Sequence, residues 1–376
     1  MKQKINVLKI SSLITTILLI LFLPCGCGSG GGGTVSSQPS GGDIHSPVEA
    51  KLVHGTLFVV QAVVNSSVYL DMLVDTGSSR THVPAGIFGN PDGEVYISSL
   101  CFENGICVNN FLAWSSDSAF TQSKDGYFNG IIGVDLLKNF DVTFDYPSKL
   151  IYFYDTLENS SAGLVTIPIH YESARPFTNV SIEGVLQGST LLDTGSAYTR
   201  ITPLMLDSLS QKPDVLFKSV VFNFDSSEVV EYVPLNGYCA SMACPDETIV
   251  QIGSWPAVGG TFFREYLTIF KFSENGVKLD PYDDRSHIKN SGIQRIGLQL
   301  NIFDASDIIF VDEGSLAWEG GLREGYEIIS VNGIPIDALG YFGIYELLAD
   351  TTINEYQFLV VTTDDERKEI RFAIPS

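Results

Sequence analysis

The sequence predicts a mainly β protein made of two similar halves and a different C-terminal unit. Short runs rich in β-branched and aromatic residues, broken by Gly, Asn, Asp and Pro, recur from Lys51 to about Tyr282. The tetrapeptide Asp-Thr-Gly-Ser occurs twice, at Asp75 to Ser78 and at Asp193 to Ser196, each time behind apolar residues. Beyond Asp280-Pro281 the texture changes, and no third copy of the repeat follows.

At the N-terminus, Lys2, Lys4 and Lys9 precede the apolar stretch ISSLITTILLILFLP, the order of a secretory signal, so residues 1–27 are set aside from the fold. Cys27 after Gly26 resembles a bacterial lipoprotein processing site and fits better than Cys25 after Pro24; Pro24 stands where such sites usually carry Leu. Lipid anchoring of an exported bacterial protein through Cys27, at the cell envelope, is the expectation; plain cleavage or an uncleaved membrane anchor are the alternatives. Residues 28–46, rich in Gly and Ser, cannot bury a core and read as a tether.

The runs LFVVQAVV, VYLDMLV, GEVYISSL, LIYFY, LVTIPI, SVVFNF and LTIFKF argue for mostly antiparallel strands, with TPLMLDSLS after the second motif the best helix candidate. The expected lobes are 47–160 and 161–283, followed by the polar linker PYDDRSHIKNSG and a C-terminal unit at 291–376. Once the signal is removed, four cysteines remain and allow three pairings. In an exported protein the short-range pairs Cys101 with Cys107 and Cys239 with Cys244 are the simplest, each closing one loop. Neither pair has zinc-like spacing to a His or a second pair, so no metal is expected. The formal charge of −22, from 44 acidic against 22 basic residues, argues against nucleic acid or anionic lipid as a partner. A solvated, repulsive surface and a monomer are expected.

The repeat extends well past the tetrapeptide. LVDTGSSRTHVP and LLDTGSAYTRITP place the aspartates 193 − 75 = 118 residues apart. A second pair, IIGVDLLKNFDVTFD from Ile131 and AVGGTFFREYLTIFK from Ala257, aligns without a gap, Gly133 meeting Gly259 and Phe144 meeting Phe270. Two lobes related by a pseudo-twofold axis are implied, with Asp75 and Asp193 at their interface.

These segments, WPAVGGTFFREYLTIFKFSENGVKLDPY above all, resemble the pepsin-type aspartic proteases, and NGIIGVDLLKNFDVTFDYPSKLIYF looks closer to compact retropepsin-like bacterial proteins. The resemblance covers about Lys51 to Tyr282 and implies the bilobal acid-protease fold with Asp75 and Asp193 as catalytic residues. Two carboxylates a few ångströms apart cannot both ionise cheaply, so the pair shares a proton and supplies a base and an acid at once. Gly77 and Gly195 permit turns that aim backbone N–H groups at the carboxylates, and Ser78 and Ser196 can donate to the outer oxygens. Thr76 and Thr194, by resemblance, cross-link the lobes beneath the dyad. A hairpin flap carrying a Tyr is implied as well, but only AGIFGNPDGE separates Pro84 from Val95. Tyr96 or the turn CFENGIC is the candidate for that role, with an ordinary strand and turn as the alternative.

GSLAWEGGLREGYEIISVNG resembles a PDZ domain, with Leu316 and Tyr326 in place of the usual Pro and Asp. RIGLQL resembles the loop that receives a peptide C-terminus, here through Ile296, Gly297 and Leu298. Docking of this unit on its own protease lobes is the alternative. The expectation is an aspartic endopeptidase acting on a peptide or protein substrate, without cofactor, whose C-terminal module recruits or positions that substrate. A non-catalytic peptide-binding surface protein is the rival reading, and processing of itself or of one partner a third.

Overall fold

The computed structural model describes residues 46–88, 93–116, 128–154, 164–222, 227–284, 296–301, 304–350 and 352–374. The signal, Cys27, most of the tether and the linker residues 285–295 lie outside them. The chain is mainly β, and its described residues form three sheets of 12, 9 and 6 strands. Among the described residues no helix is long and apolar enough to cross a membrane.

The two halves repeat one set of strand relations. In the first half, strand Val68–Val74 runs into the Asp75 turn and pairs in parallel with Gly130–Ile132, Leu73 opposite Ile131. In the second, Val185–Leu192 runs into the Asp193 turn and pairs in parallel with Ala257–Val258, Leu191 opposite Ala257. After each turn a three-residue strand, His82–Pro84 or Thr199–Ile201, lies antiparallel to that same segment and parallel to a longer outer strand. Segments with this many apolar neighbours are fully buried: Met72, Val74, Ile132, Leu192, Ile201 and Val258 expose nothing.

The halves do not own separate sheets. Val165–Pro168, Tyr266–Lys271 and Gly276–Pro281 from the second half complete the 12-stranded sheet begun by the first. The join is antiparallel, between Asp141–Asp145 and Tyr266–Lys271. Its register maps onto itself when the halves exchange, since Phe144 faces Thr268 while their repeat equivalents Phe270 and Val142 face each other. One apolar cluster, holding Phe58, Phe144, Phe262, Phe263 and Phe270, runs through both halves, so the expected lobe boundary near residue 160 divides the sequence and not the core.

TPLMLDSLS supplies the helix Pro203–Asp207, started by Pro203 and capped by Thr202, whose side chain accepts the Met205 N–H. Both expected disulfides are present, Cys101–Cys107 closing the hairpin of Gly93–Phe102 and Cys107–Ser116, and Cys239–Cys244 closing the turn after Tyr238–Ala240. The C-terminal unit has its own core, with Ile296, Leu298, Ile328, Ile344, Tyr356 and Phe358 buried. Its helix Ile336–Ala349 is broken at Gly340, which adopts φ 59°.

Candidate functional site

Each Asp-Thr-Gly-Ser turn is seated on the apolar-apolar-Gly segment of its own half. The Asp75 N–H donates to the Ile132 carbonyl at 3.0 Å and the Asp193 N–H to the Val258 carbonyl at 2.9 Å. Gly133 and Gly259 allow that seating, since a Cβ there would lie 2.3 Å from the Arg80 carbonyl and 2.2 Å from the Tyr198 carbonyl oxygen. Inside the first turn, the N–H groups of Gly77 and Ser78 donate to Asp75 Oδ1 at 2.7 and 3.1 Å, so two backbone groups aim the carboxylate.

The threonines join the two turns reciprocally. The Thr76 N–H donates to Thr194 Oγ1 and the Thr194 N–H to Thr76 Oγ1, both at 3.0 Å. Each hydroxyl then donates into the opposite half, Thr76 to the Leu192 carbonyl at 2.7 Å and Thr194 to the Val74 carbonyl at 2.9 Å. Both residues are buried, so these four bonds are shielded from water and fix the halves in register.

Above this joint the aspartates meet. A Cβ on Gly77 would sit 2.4 Å from Asp193 Oδ1, and one on Gly195 would sit 2.3 Å from Asp75 Cγ, so each glycine is the floor beneath the other half's carboxyl group. The two carboxyl groups are hydrogen-bonded to each other. Burial pushes both above the usual carboxylate range. At Asp75 the neighbouring Asp193 charge adds to that, while the Gly77 and Ser78 N–H groups oppose it. At Asp193, buried at 6% exposure, the Arg200 guanidinium is the main opposing influence. Asp75 is partly exposed, more so than Asp193. A pair of this kind can hold one proton, accept a second from water and return one to a substrate.

The serines do otherwise than expected. Ser78 Oγ donates to the Arg80 carbonyl at 2.7 Å and Ser196 Oγ to the Tyr198 carbonyl at 2.8 Å, so both hydroxyls brace the turn exits in place of the carboxylates. Tyr96 lies mid-strand in Gly93–Phe102, exposed, its hydroxyl donating to Asn110 on the adjacent strand. The turn CFENGIC is tied to the first strand, Val48–Val53, the Glu49 N–H donating to Glu103 at 2.9 Å. Neither contact leads to the dyad, and residues 89–92 of the expected flap region lie outside the described ones.

No family model matches the chain, and no curated protein matches it in sequence. The site is defined by its own geometry, which includes residues that motif reading passed over. Thr81 Oγ1 donates to Asp135 at 2.7 Å and accepts the Gly133 N–H at 3.2 Å. Its counterpart Thr199 accepts the Gly259 N–H at 3.1 Å, and its own N–H donates to Thr261 at 2.8 Å. The signal was available: Thr81 and Thr199 stand six residues after the respective aspartates (81 − 75 and 199 − 193). Arg200 was also missed. Its Nη2 lies 3.2 Å from Asp193 Oδ2, and its guanidinium covers the Trp255 ring at 3.3 Å from the centroid.

In the C-terminal unit, Ile296 is buried, Gly297 has φ +70°, and Leu298 opens the edge strand Leu298–Asn301. The unit touches the body at several points. Asp312 accepts the Lys218 N–H at 3.2 Å, Gln299 accepts the Ser219 hydroxyl at 2.9 Å, and Glu346 pairs with Lys149 at 3.3 Å. Tyr345 meets His54 edge-on at 4.7 Å; burial holds the Tyr198 phenol well above its usual range, and Tyr232 and then Tyr345 add to that.

Proposed function

We propose that the chain is an aspartic endopeptidase of the pepsin-like and retropepsin-like kind, with Asp75 and Asp193 as its catalytic pair. The observation that carries this is the meeting of two repeat-related carboxyl groups, each over the other half's glycine, above the reciprocal Thr76–Thr194 joint. A binding groove has no need of a proton-sharing pair held so closely. In the proposed reaction the ionised aspartate takes a proton from a water as its oxygen attacks the scissile carbonyl carbon. The protonated partner gives its proton to the carbonyl oxygen, and the tetrahedral intermediate collapses as the leaving nitrogen is protonated. No covalent intermediate is required.

Two further parts of the reading accompany this. The C-terminal unit is a PDZ-like module that positions a peptide beside the catalytic pair; its Gly297 turn and its contacts with Lys218, Ser219 and His54 support that role. The protein is exported and held at the envelope by a lipid on Cys27; the two disulfides, which persist in oxidising compartments, support export.

The test is cleavage of fluorogenic peptide libraries between about pH 3 and 8 by the full chain and by Asp75→Asn and Asp193→Asn. Each substitution is expected to lower kcat/KM roughly a thousandfold or more. Cleavage that survives both substitutions, or no cleavage by the wild type under any condition, would remove the endopeptidase reading.

A further inference from the structure

The two halves share Asp-Thr-Gly-Ser and the threonine six residues after each aspartate, and among the positions at which they differ is the seventh. His82 stands there in the first half and Arg200 in the second, on strands that pair alike with the segment behind, His82 opposite Ile131 and Arg200 opposite Ala257. Arg200 is mostly buried, with its guanidinium flat against Trp255 on one side and its Nη2 on Asp193 Oδ2 at 3.2 Å. Its Nε, buried as well, has no hydrogen-bond partner among the described residues. A guanidinium suits this place because it stacks on an aromatic face and keeps its charge when desolvated, whereas an ammonium does neither as well.

His82 offers Asp75 no equivalent. Burial, with the Arg80 charge nearby, lowers its pKa to about 4, so the ring is neutral where the arginine is charged. Asp75 instead receives two backbone N–H groups. The charged and titratable groups facing Asp193 are Asp75 across the pair, Arg200, and Arg175 from strand Arg175–Ile182. Those facing Arg200 are Asp193, Asp75 and Tyr232, the last pushed up to about 12 and therefore neutral.

We propose that Arg200, clamped on Trp255, is a positioning residue that breaks the symmetry of the pair, holding Asp193 as the ionised carboxylate and leaving the shared proton on Asp75. In the endopeptidase reading, on which the chemical consequence rests, Asp193 takes the proton of the attacking water. Asp75 gives its own proton to the carbonyl oxygen, and the pair ends the step with the proton count it began with. The assignment of charge does not depend on that reading.

The experiment follows the carboxyl carbons of Asp75 and Asp193 by NMR in the full chain labelled at aspartate, assigned with Asp75→Asn and Asp193→Asn, beside the pH profile of kcat/KM. In the wild type, the first ionisation of the pair is expected at Asp193. In Arg200→Gln the lower midpoint of the pair, and with it the acid limb of the profile, is expected to move up by roughly one pH unit or more. Arg200→Lys is expected to reverse only part of that shift, since an ammonium stacks less well on Trp255 and loses its charge more readily when desolvated. Trp255→Leu, which only loosens the clamp, gives a smaller shift in the same direction and carries the test if Arg200→Gln does not fold. A lower midpoint unchanged in Arg200→Gln or Trp255→Leu, or a first ionisation at Asp75, overturns the proposal. A shifted titration in a protein that cleaves no peptide upholds the role of Arg200 and counts against the endopeptidase reading.

Discussion

At the scale of single residues, the aspartate pair has a thermodynamic signature apart from any reaction. Asp75 holds its proton more tightly in the folded protein because burial and the Asp193 charge disfavour the ionised form. With a raised carboxyl pKa, the stabilisation is complete below the unfolded value of about 4 and is lost as pH rises through the folded one. Asp75→Asn cannot ionise and escapes that loss. Its thermal midpoint is expected to gain on the wild type as pH rises above about 4; a difference independent of pH would refute the account. Thr76→Val keeps the shape of the side chain and deletes its hydroxyl, stranding the Thr194 N–H and the Leu192 carbonyl in a buried joint. Leaving buried groups unsatisfied costs about 1–3 kcal/mol, which urea denaturation at constant m would show.

At the scale of elements, the apolar-apolar-Gly segments set where the aspartates stand. Gly259→Ala puts a methyl group against the Tyr198 backbone, which cannot move without displacing the Asp193 turn. It is expected to destabilise by about 1–3 kcal/mol and, in the proposed endopeptidase, to lower cleavage together with stability. Gly86→Ala, in the helix Ala85–Phe88, is the control: nothing lies within 4 Å of the added carbon, and thermal denaturation should show little change or a small gain. Much of this level was legible. The doubled motif, its doubled companion and the helix after Thr202 were all read from residue patterns. The strands of the second outer hairpin, Phe217–Phe222 and Ser227–Asn236, were only half anticipated. SVVFNF marks the first by its β-branched residues, whereas Glu and Pro interrupt the second, and its pairing with Glu247–Ile252 overrides that weak local preference.

At the scale of the whole molecule, the C-terminal unit meets the body at Lys218, Ser219 and Lys149 and through Tyr345, whose ring lies edge-on to His54. Tyr198 follows Asp193 by five residues (198 − 193) and packs on Tyr232, and the Tyr345 phenol acts electrostatically on it. Tyr345→Ala is expected to leave the fold intact, as judged by near-UV circular dichroism, and, in the proposed endopeptidase, to raise KM several-fold with kcat little changed, since the residue belongs to the C-terminal unit and not to the aspartate turns. An equal loss in kcat would instead mean that the unit completes the catalytic arrangement.

The sequence by itself determined the mainly β class, the twofold repeat, the two short disulfides and the pairing of Asp75 with Asp193, because each is written in local pattern or in exact repetition. Tertiary structure decided what repetition cannot encode: that the halves share one sheet and core, and that the serines brace the turns instead of the carboxylates. It also decided that Arg200, an unremarkable arginine in the run Thr-Arg-Ile, faces one aspartate with no counterpart at the other. The reason is physical. A repeat sets which backbone groups are equivalent, but the charge each carboxyl group feels depends on side chains brought in from elsewhere, and Trp255 reaches Arg200 only once the chain has folded.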